Sequence, residues 1–432
     1  MTEEQDNQVQ QEINKAINFL GQNKFLEAEN TCLKIIDSGD NADAYHILSS
    51  IKIYQQEFED SIKYVKKSIA INDENPGYHV TLGCAYSAQK DYDSSITAFK
   101  SAIKINNKIA QVHFYLGESY RKLKKYNDAI SSFYNTTELS PDHVGAYLLL
   151  GVVYQEKKQF DLAINAFQKC IEIMPDYAEA HLNLGLCYLL IGDYENGWRE
   201  YEWRRKLIKE SNDKLSKEWS GQNLENKTLL VLDEGADGNL IHFIRFIREL
   251  KKESCKVIVQ CSEEAMSLIK NQKWIDRAIT ADEYPEHDFY IPIGSLMNVL
   301  KYNPNHHEQT FPYIEVDTDK ISKDNTDQVS IGLVFETDKN SNAHDDESIE
   351  PGLFENIFTE EHNVICLDKY VTDKTLPGYC SKHISYSNLE ELSTAISNLD
   401  LIITVDHLVA HLAGALNIDT ILMLPCVPNW RW

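Results

Sequence analysis

Along the first 190 residues small, aromatic and apolar positions return in a fixed frame: Leu-Gly stands at Leu82-Gly83, Leu116-Gly117, Leu150-Gly151 and Leu184-Gly185, a period of 34 residues. A tyrosine follows three residues after each glycine (Tyr86, Tyr120, Tyr154, Tyr188), and a phenylalanine sixteen residues after the first three (Phe99, Phe133, Phe167). Such a frame predicts stacked helix pairs, since one pair alone would leave an apolar face wet. The glycine lets two helices approach closely, and the two rings fill the space between them. Polar breaks at Lys90-Asp91, Lys125 to Asp128 and Lys158 to Asp161 fall between helices, and Pro141 and Pro175 mark the turns between pairs. Before residue 76 the frame weakens, with Ser49 at a glycine position and a one-residue slip near Ala28; the count is six repeats, the first a degenerate cap.

The period and these residues resemble tetratricopeptide repeats, which implies an α-solenoid over residues 1–210. The first helices of the pairs line the groove of such a solenoid. In this register they offer Val80, Phe114, Leu148 and Leu182 at one position and Cys84, Glu118, Val152 and Leu186 at the next. Repeats that grip a free carboxylate place Lys, Arg and Asn there, so that mode is disfavoured. The apolar groove then receives either a protein or peptide segment (or a lipid-like group) or the chain's own second half. Tyr45, His79, His113, Tyr147 and His181 form one row; semi-buried packing is the favoured reading over a histidine ladder.

The frame dissolves near residue 192 into a last helix containing W-R-E-Y-E-W-R-R (198–205), and a connector spans 211–226. From Lys227 short apolar runs alternate with segments of helical spacing: TLLVL, KVIVQC, AIT, DFYIPI, VSIGLVF, VICL, LIITV and TILML predict strands. Helices are expected at 238–250, 263–272, 351–359, 388–397 and 408–416. This order predicts parallel sheets covered on both faces, in two units, 227–315 and 328–432, with ligands at the carboxyl ends of the strands.

E-G-A-D-G-N-L-I-H-F-I-R-F (234–246), T-V-D-H-L-V-A-H-L-A-G-A-L (404–416) and the terminal L-P-C-V-P-N-W-R-W are similar to bacterial tetratricopeptide proteins that carry a glycosyltransferase family 9, heptosyltransferase-like, domain. The W-R-E-Y-E-W-R-R segment and I-G-L-V-F (331–335) fit as well, so the resemblance covers almost everything after residue 190. It implies two Rossmann-like units, the second short and on the nucleotide-sugar side. The implied reaction is an inverting displacement: an acid in the first loop deprotonates the acceptor, while basic groups and a helix N-terminus steady the diphosphate. Glu234 and Gly238 match the family's E-x-G-x-G-D loop, and Asn239 stands where its Asp would be. An amide is no general base, which leaves Asp237 or Glu234 as the catalytic candidates. Gly238, Asn239, Asp406, His407, His411 and Gly414 are the implied donor-binding residues. Glu347 replaces the arginine of the family's R-S-I segment and should repel a diphosphate by on the order of a few kcal/mol at close range. The family continues with further helices beyond the position of Trp432.

Charge narrows the partners. Lys+Arg 42 against Asp+Glu 67 gives a net charge of −25, which disfavours nucleic acid and anionic membranes. Nine scattered cysteines without a C-x-x-C pair suggest neither a zinc site nor a disulfide framework, and fit a reducing cytoplasm. The acids at 345–347 and the His306-His307 pair read as solvated loops, so no metal is expected and the only small ligand is a nucleotide-sugar donor. The polar N-terminus is unlike a signal peptide, and no apolar run reaches membrane-spanning length. Two functions remain: a transferase whose repeats recruit a protein or glycan acceptor, or an adaptor whose transferase-like domain no longer catalyses.

Overall fold

The computed structural model describes residues 3–207, 215–235, 237–251, 254–306, 311–317, 328–336, 348–359, 361–369, 371 and 375–424. The chain forms two compact units, Met1–Cys187 and Tyr188–Trp432.

The first unit is wholly helical among its described residues. Its pairs are α1 (Glu3–Gly21) with α2 (Phe25–Ser38), α3 (Ala42–Tyr54) with α4 (Phe58–Ile71), α5 (Pro76–Ala88) with α6 (Tyr92–Ile105), α7 (Ala110–Lys122) with α8 (Tyr126–Leu139), and α9 (Val144–Glu156) with α10 (Phe160–Ile173). A sixth first helix, α11 (Ala178–Leu190), is followed in sequence by α12 (Tyr194–Tyr201). Each periodic residue has a local task. A Cβ on Gly83 would stand 2.5 Å from Cε1 of Phe99, and one on Gly117 would stand 2.6 Å from Cε1 of Phe133. Gly151 faces Phe167 in the same way, so only hydrogen allows the two helices of a pair to close on the ring. The turn within each pair needs one left-handed residue: Asn23, Gln56, Lys90, Lys124, Lys158 and Gly192 all have positive φ. Their spacing is 34 throughout except for 33 at the first step, which is the slip seen near Ala28.

The second unit holds two five-stranded sheets among the described residues, both parallel throughout. After α12 and the short α13 (Arg204–Leu207), the first sheet contains β1 (Lys217–Glu218), β2 (Thr228–Leu232), β3 (Lys256–Gln260), β4 (Arg277–Ile279) and β5 (Phe289–Pro292) in the order β1-β5-β2-β3-β4. Between them run α14 (Asp237–Ile244), α15 (Ile247–Leu250) and α16 (Glu263–Lys270), and α17 (Leu296–Val299) follows β5. The second sheet contains β6 (Val329–Leu333), β7 (His362–Cys366), β8 (Lys382–His383), β9 (Leu401–Thr404) and β10 (Thr420–Leu422) in the order β10-β9-β6-β7-β8. Its helices are α18 (Leu389–Ser397) and α19 (Leu408–Leu416). The central strands carry buried apolar residues on both faces, such as Leu229, Leu230 and Val231 in β2 and Val257 and Val259 in β3.

Two details differ from the sequence expectation. The helix expected near 351–359 is a single 3-10 turn, Pro351–Phe354; proline fits a first turn, but Gly352 and the exposed Leu353 give no apolar stripe on which a longer helix could be held. The edge strands β1 and β8, two residues each, have no alternation to announce them.

Candidate functional site

In both sheets the chain order reverses beside the first long strand, between β2 and β5 and between β6 and β9. Loops leaving the carboxyl ends of such strands splay apart and make a crevice. Of the residues singled out from the sequence, Glu234, Asp237, Gly238 and Asn239 follow the end of β2 and Asp406, His407 and His411 follow the end of β9, whereas Gly414 lies in the last turn of α19.

After β2 the chain passes Asp233, Glu234 and Gly235, whose φ of +85° suits a residue without a Cβ, and enters α14 at Asp237. The Asp237 carboxylate accepts a hydrogen bond from Ser262 Oγ at 2.8 Å, and that hydroxyl also accepts from Ala265 N to cap α16. Glu234 is otherwise engaged. Arg204 grips it with both sides of its fork, Nε to Oε1 at 2.9 Å and Nη2 to Oε2 at 3.0 Å, and Gly294 N donates to Oε2 at 2.7 Å. Both side chains of this ion pair are 8% exposed, so the carboxylate is consumed by anchoring. Asn239 lies half-buried on α14.

After β9, Asp406 is half-buried and His407 is buried at the N-cap of α19, where its Nδ1 accepts from Val409 N at 3.2 Å. That bond makes Nδ1 an acceptor. His411 is buried one turn further on and packs on the start of α14. A Cβ on Gly238 would lie 3.1 Å from His411 Cδ2, and the His242 and His411 rings meet edge to face with centroids 5.7 Å apart. Gly238 and His411, 173 positions apart in the sequence, are thereby brought together. Gly414 is exposed with open space where its Cβ would be. Glu347, the acids at 345–346, His307 and the terminal run beyond Leu424 lie outside the described residues.

Sequence reasoning missed two carboxyls at strand ends, the half-buried Asp233 and the buried Asp368. Asp233 is pushed up to about 6, first by burial and then by Asp237, and its Oδ1 is buried without a hydrogen-bond partner among the described residues. Asp368, which follows β7 closely, is 2% exposed and also pushed up to about 6 by burial. It accepts from Phe335 N at 3.2 Å and Glu336 N at 3.1 Å, tying the end of β6 to the end of β7. The signal available was simple: each acid is the first charged residue after a buried apolar run.

On the solenoid, the groove positions Val80, Cys84, Phe114, Glu118, Val152, Leu182 and Leu186 are half-buried, and Leu148 is buried. Burial raises the Glu118 carboxyl above the ordinary carboxylate range, against the pull of Arg121 and Lys122. The histidine row is structural. Nε2 of His79, His113 and His181 donates to the carbonyl six residues upstream: Asp73 at 3.1 Å, Asn107 at 2.9 Å and Pro175 at 2.8 Å. Tyr45 makes the equivalent closure to Asp40 Oδ1 at 2.7 Å. No group of three or more His, Cys, Asp or Glu suited to a metal occurs among the described residues, and no helix among them is long and apolar enough to cross a membrane.

Residues 42–75 and 76–109 each match a tetratricopeptide repeat model, and residues 108–176 match a second such model. Among curated proteins none matches the chain. Among solved structures it is similar to PilF of Pseudomonas aeruginosa, with 16% identity over 48% of this chain and 94% of that one and a TM-score of 0.43. It is also similar to MamA of Desulfovibrio magneticus RS-1, with 23% identity, 39% and 94% coverage and a TM-score of 0.36. A third is YrrB, described as a tetratricopeptide protein with an unusual peptide-binding site, with 18% identity, 41% and 91% coverage and a TM-score of 0.37. The chain thus carries tetratricopeptide repeats over residues 42–176, within a helical solenoid, followed by an α/β region with two parallel sheets.

Proposed function

We propose that the repeats hold a protein or peptide segment in their apolar groove, and that the α/β unit is a glycosyltransferase-type pair of Rossmann-like halves that takes a nucleotide-sugar donor. The observation that carries the second part is the meeting of α14 and α19: the loop after β2 and the loop after β9 both begin helices there, with Gly238 against His411. A donor would lie along the second half, its diphosphate toward the amides opening α19, with Asp406, His407 and His411 beside it. Asp237 is the acid best placed to accept a proton from an acceptor hydroxyl, because Glu234 is held by Arg204. Free cysteines, all buried among those described except the half-buried Cys84, support a reducing, cytoplasmic setting.

A second reading has its own support. With Asn239 unable to act as a base and Glu234 locked in an ion pair, the unit can serve as a folded adaptor without catalysis. Titration calorimetry with UDP-, GDP-, ADP- and CMP-sugars separates the two. Binding of one donor class, lost in Asp406→Ala and His411→Ala, supports the transferase-type site, and loss of transfer in Asp237→Asn identifies the base. No binding by any of the four removes the transferase reading and leaves the adaptor.

A further inference from the structure

The W-R-R segment that closes the repeat region is a working part of the α/β unit. Arg204 is buried, and all five of its N–H donors are used. Besides the two bonds to Glu234, Nη2 donates to Ser295 Oγ at 3.0 Å, while Nη1 donates to Tyr201 O at 3.2 Å and Glu202 Oε1 at 3.0 Å. Ser295 Oγ in turn donates to Glu202 Oε2 at 2.8 Å, and the guanidinium lies 4.6 Å from the centroid of the Tyr201 ring. Glu234 belongs to the loop after β2, whereas Gly294 and Ser295 belong to the loop after β5. Arg204 therefore bridges the two loops that bound the first sheet's crevice. The fit is close: a Cβ on Gly294 would stand 2.6 Å from Glu234 Oε2 and 2.8 Å from Arg204 Nη2. The same arm is held beside this contact. Trp198 Nε1 donates to Tyr302 O at 2.8 Å, and Arg205 grips Glu218 of β1 with two bonds of 2.7 and 3.0 Å.

We infer that Arg204 is a positioning residue: through Glu234 it fixes the loop that leads into Asp237 and Gly238 at the start of α14, so that the arm α12–α13 sets the shape of the crevice in which the first half would receive its ligand. The arm's hold on the loop stands on the hydrogen bonds alone; its consequence for a ligand rests on the transferase-type reading. A planar fork is needed, because lysine keeps the charge but cannot make paired bonds to one carboxylate while also reaching Ser295.

Hydrogen exchange measured by mass spectrometry on the full-length chain tests this, with Arg204→Lys, Gly294→Ala and Arg205→Lys compared with the parent. In Arg204→Lys the amides of 233–238 and of Gly294, whose N–H now donates to Glu234, should exchange at least about tenfold faster while β3 and β4 keep their protection. Gly294→Ala, which forces a methyl into the same contact, should act alike. Arg205→Lys should loosen β1 and leave 233–238 unchanged. Unchanged exchange at 233–238 in either Arg204→Lys or Gly294→Ala, in protein retaining parental circular dichroism, overturns the inference. If Arg204→Lys does not fold, Gly294→Ala decides by the same criterion; if neither folds, Ser295→Ala, which removes one bond, should raise exchange at Gly294, and no rise there overturns it. For a donor that binds the parent, affinity should fall at least about tenfold in Arg204→Lys and not in Arg205→Lys, and equal losses overturn the positioning role. If no donor binds the parent, the transferase reading fails while the exchange result still decides the loop-holding role.

Discussion

Replacing Gly117 with alanine should weaken the solenoid at one identified contact. The added Cβ would stand 2.6 Å from Cε1 and 2.8 Å from Cδ1 of Phe133, a ring that is fully buried. Relaxed carbon–carbon contact is about 3.5–4.0 Å, so the ring or one of the two helices must retreat by about 1 Å. In a core packed at crystal density such overpacking costs about 1–3 kcal/mol. Alanine's better helix propensity returns about 1 kcal/mol at most, leaving a net loss of up to about 2 kcal/mol. Phe133→Leu alone should also destabilise, by about 1 kcal/mol, because the void it leaves has no partner atoms. The double variant should lose less than the sum, since the missing ring vacates the space that the methyl needs. All six tryptophans lie at position 198 or later, so fluorescence follows only the second unit while far-UV circular dichroism follows both. Urea unfolding should show the earlier transition in circular dichroism with the fluorescence transition unmoved. A Gly117→Ala protein more stable than its parent, or strict additivity of the two substitutions, would refute the reasoning.

Other outcomes follow from single groups. Asp233, raised to about 6 from an ordinary 3.8, binds its proton more tightly folded than unfolded, so its contribution is most favourable below about pH 4 and is lost as pH rises through 6. Asp233→Asn should therefore stabilise the fluorescence-detected unit by about 1–2 kcal/mol at pH 8, with the gain shrinking as pH falls from 6 toward 4; a gain that grows on acidification contradicts this. His113→Phe keeps an aromatic ring but loses the bond to Asn107 O, and should lower solenoid stability by about 0.5–1.5 kcal/mol in urea unfolding. Zinc and EDTA should leave the melting temperature of the parent unchanged, and a zinc-dependent rise would reinstate the histidine ladder. Burial pushes the thiols of Cys32, Cys170, Cys187, Cys261 and Cys366 up to about 12, so brief iodoacetamide treatment at pH 7.5 should leave them unmodified in folded protein and label them after denaturation.

The solenoid was readable from sequence because each periodic residue works within its own repeat. Gly117 meets Phe133 sixteen residues on, and Lys124 takes the left-handed turn between α7 and α8, so position alone gives the contact. Even the slip near Ala28 has a structural counterpart in the 33-residue step from Asn23 to Gln56. The second half was readable only as far as its strands were buried on both faces. Two-residue edge strands carry no pattern, and the 3-10 turn at Pro351–Phe354 carries composition without periodicity. Pairing over distance was hidden altogether. Glu234 reads as a free acid in a glycine-bearing loop, and nothing local tells that Arg204, thirty residues earlier, occupies both of its oxygens.

That hidden pairing changes which acids remain for chemistry. Asp233, Glu336, Asp368 and Asp406 all follow strands closely at the carboxyl edges of the two sheets, where a parallel fold receives its ligands. Asp368 spends both carboxylate oxygens on the amides of Phe335 and Glu336, and Glu234 spends its own on Arg204 and Gly294. Both fix loops. Asp233 has one buried oxygen without a bond among the described residues and is pushed up to about 6, so it is neutral below that pH and charged above it, close to Asp237. Ser262 donates a hydrogen bond to the Asp237 carboxylate, which holds it beside Asp233. If any acid of the first half takes a proton from an acceptor, the arrangement favours Asp237, with Asp233 as the neighbour whose charge state tunes it. A pH profile of transfer that loses its limb near 6 in Asp233→Asn, with Asp237→Asn inactive, is the signature this division of labour requires.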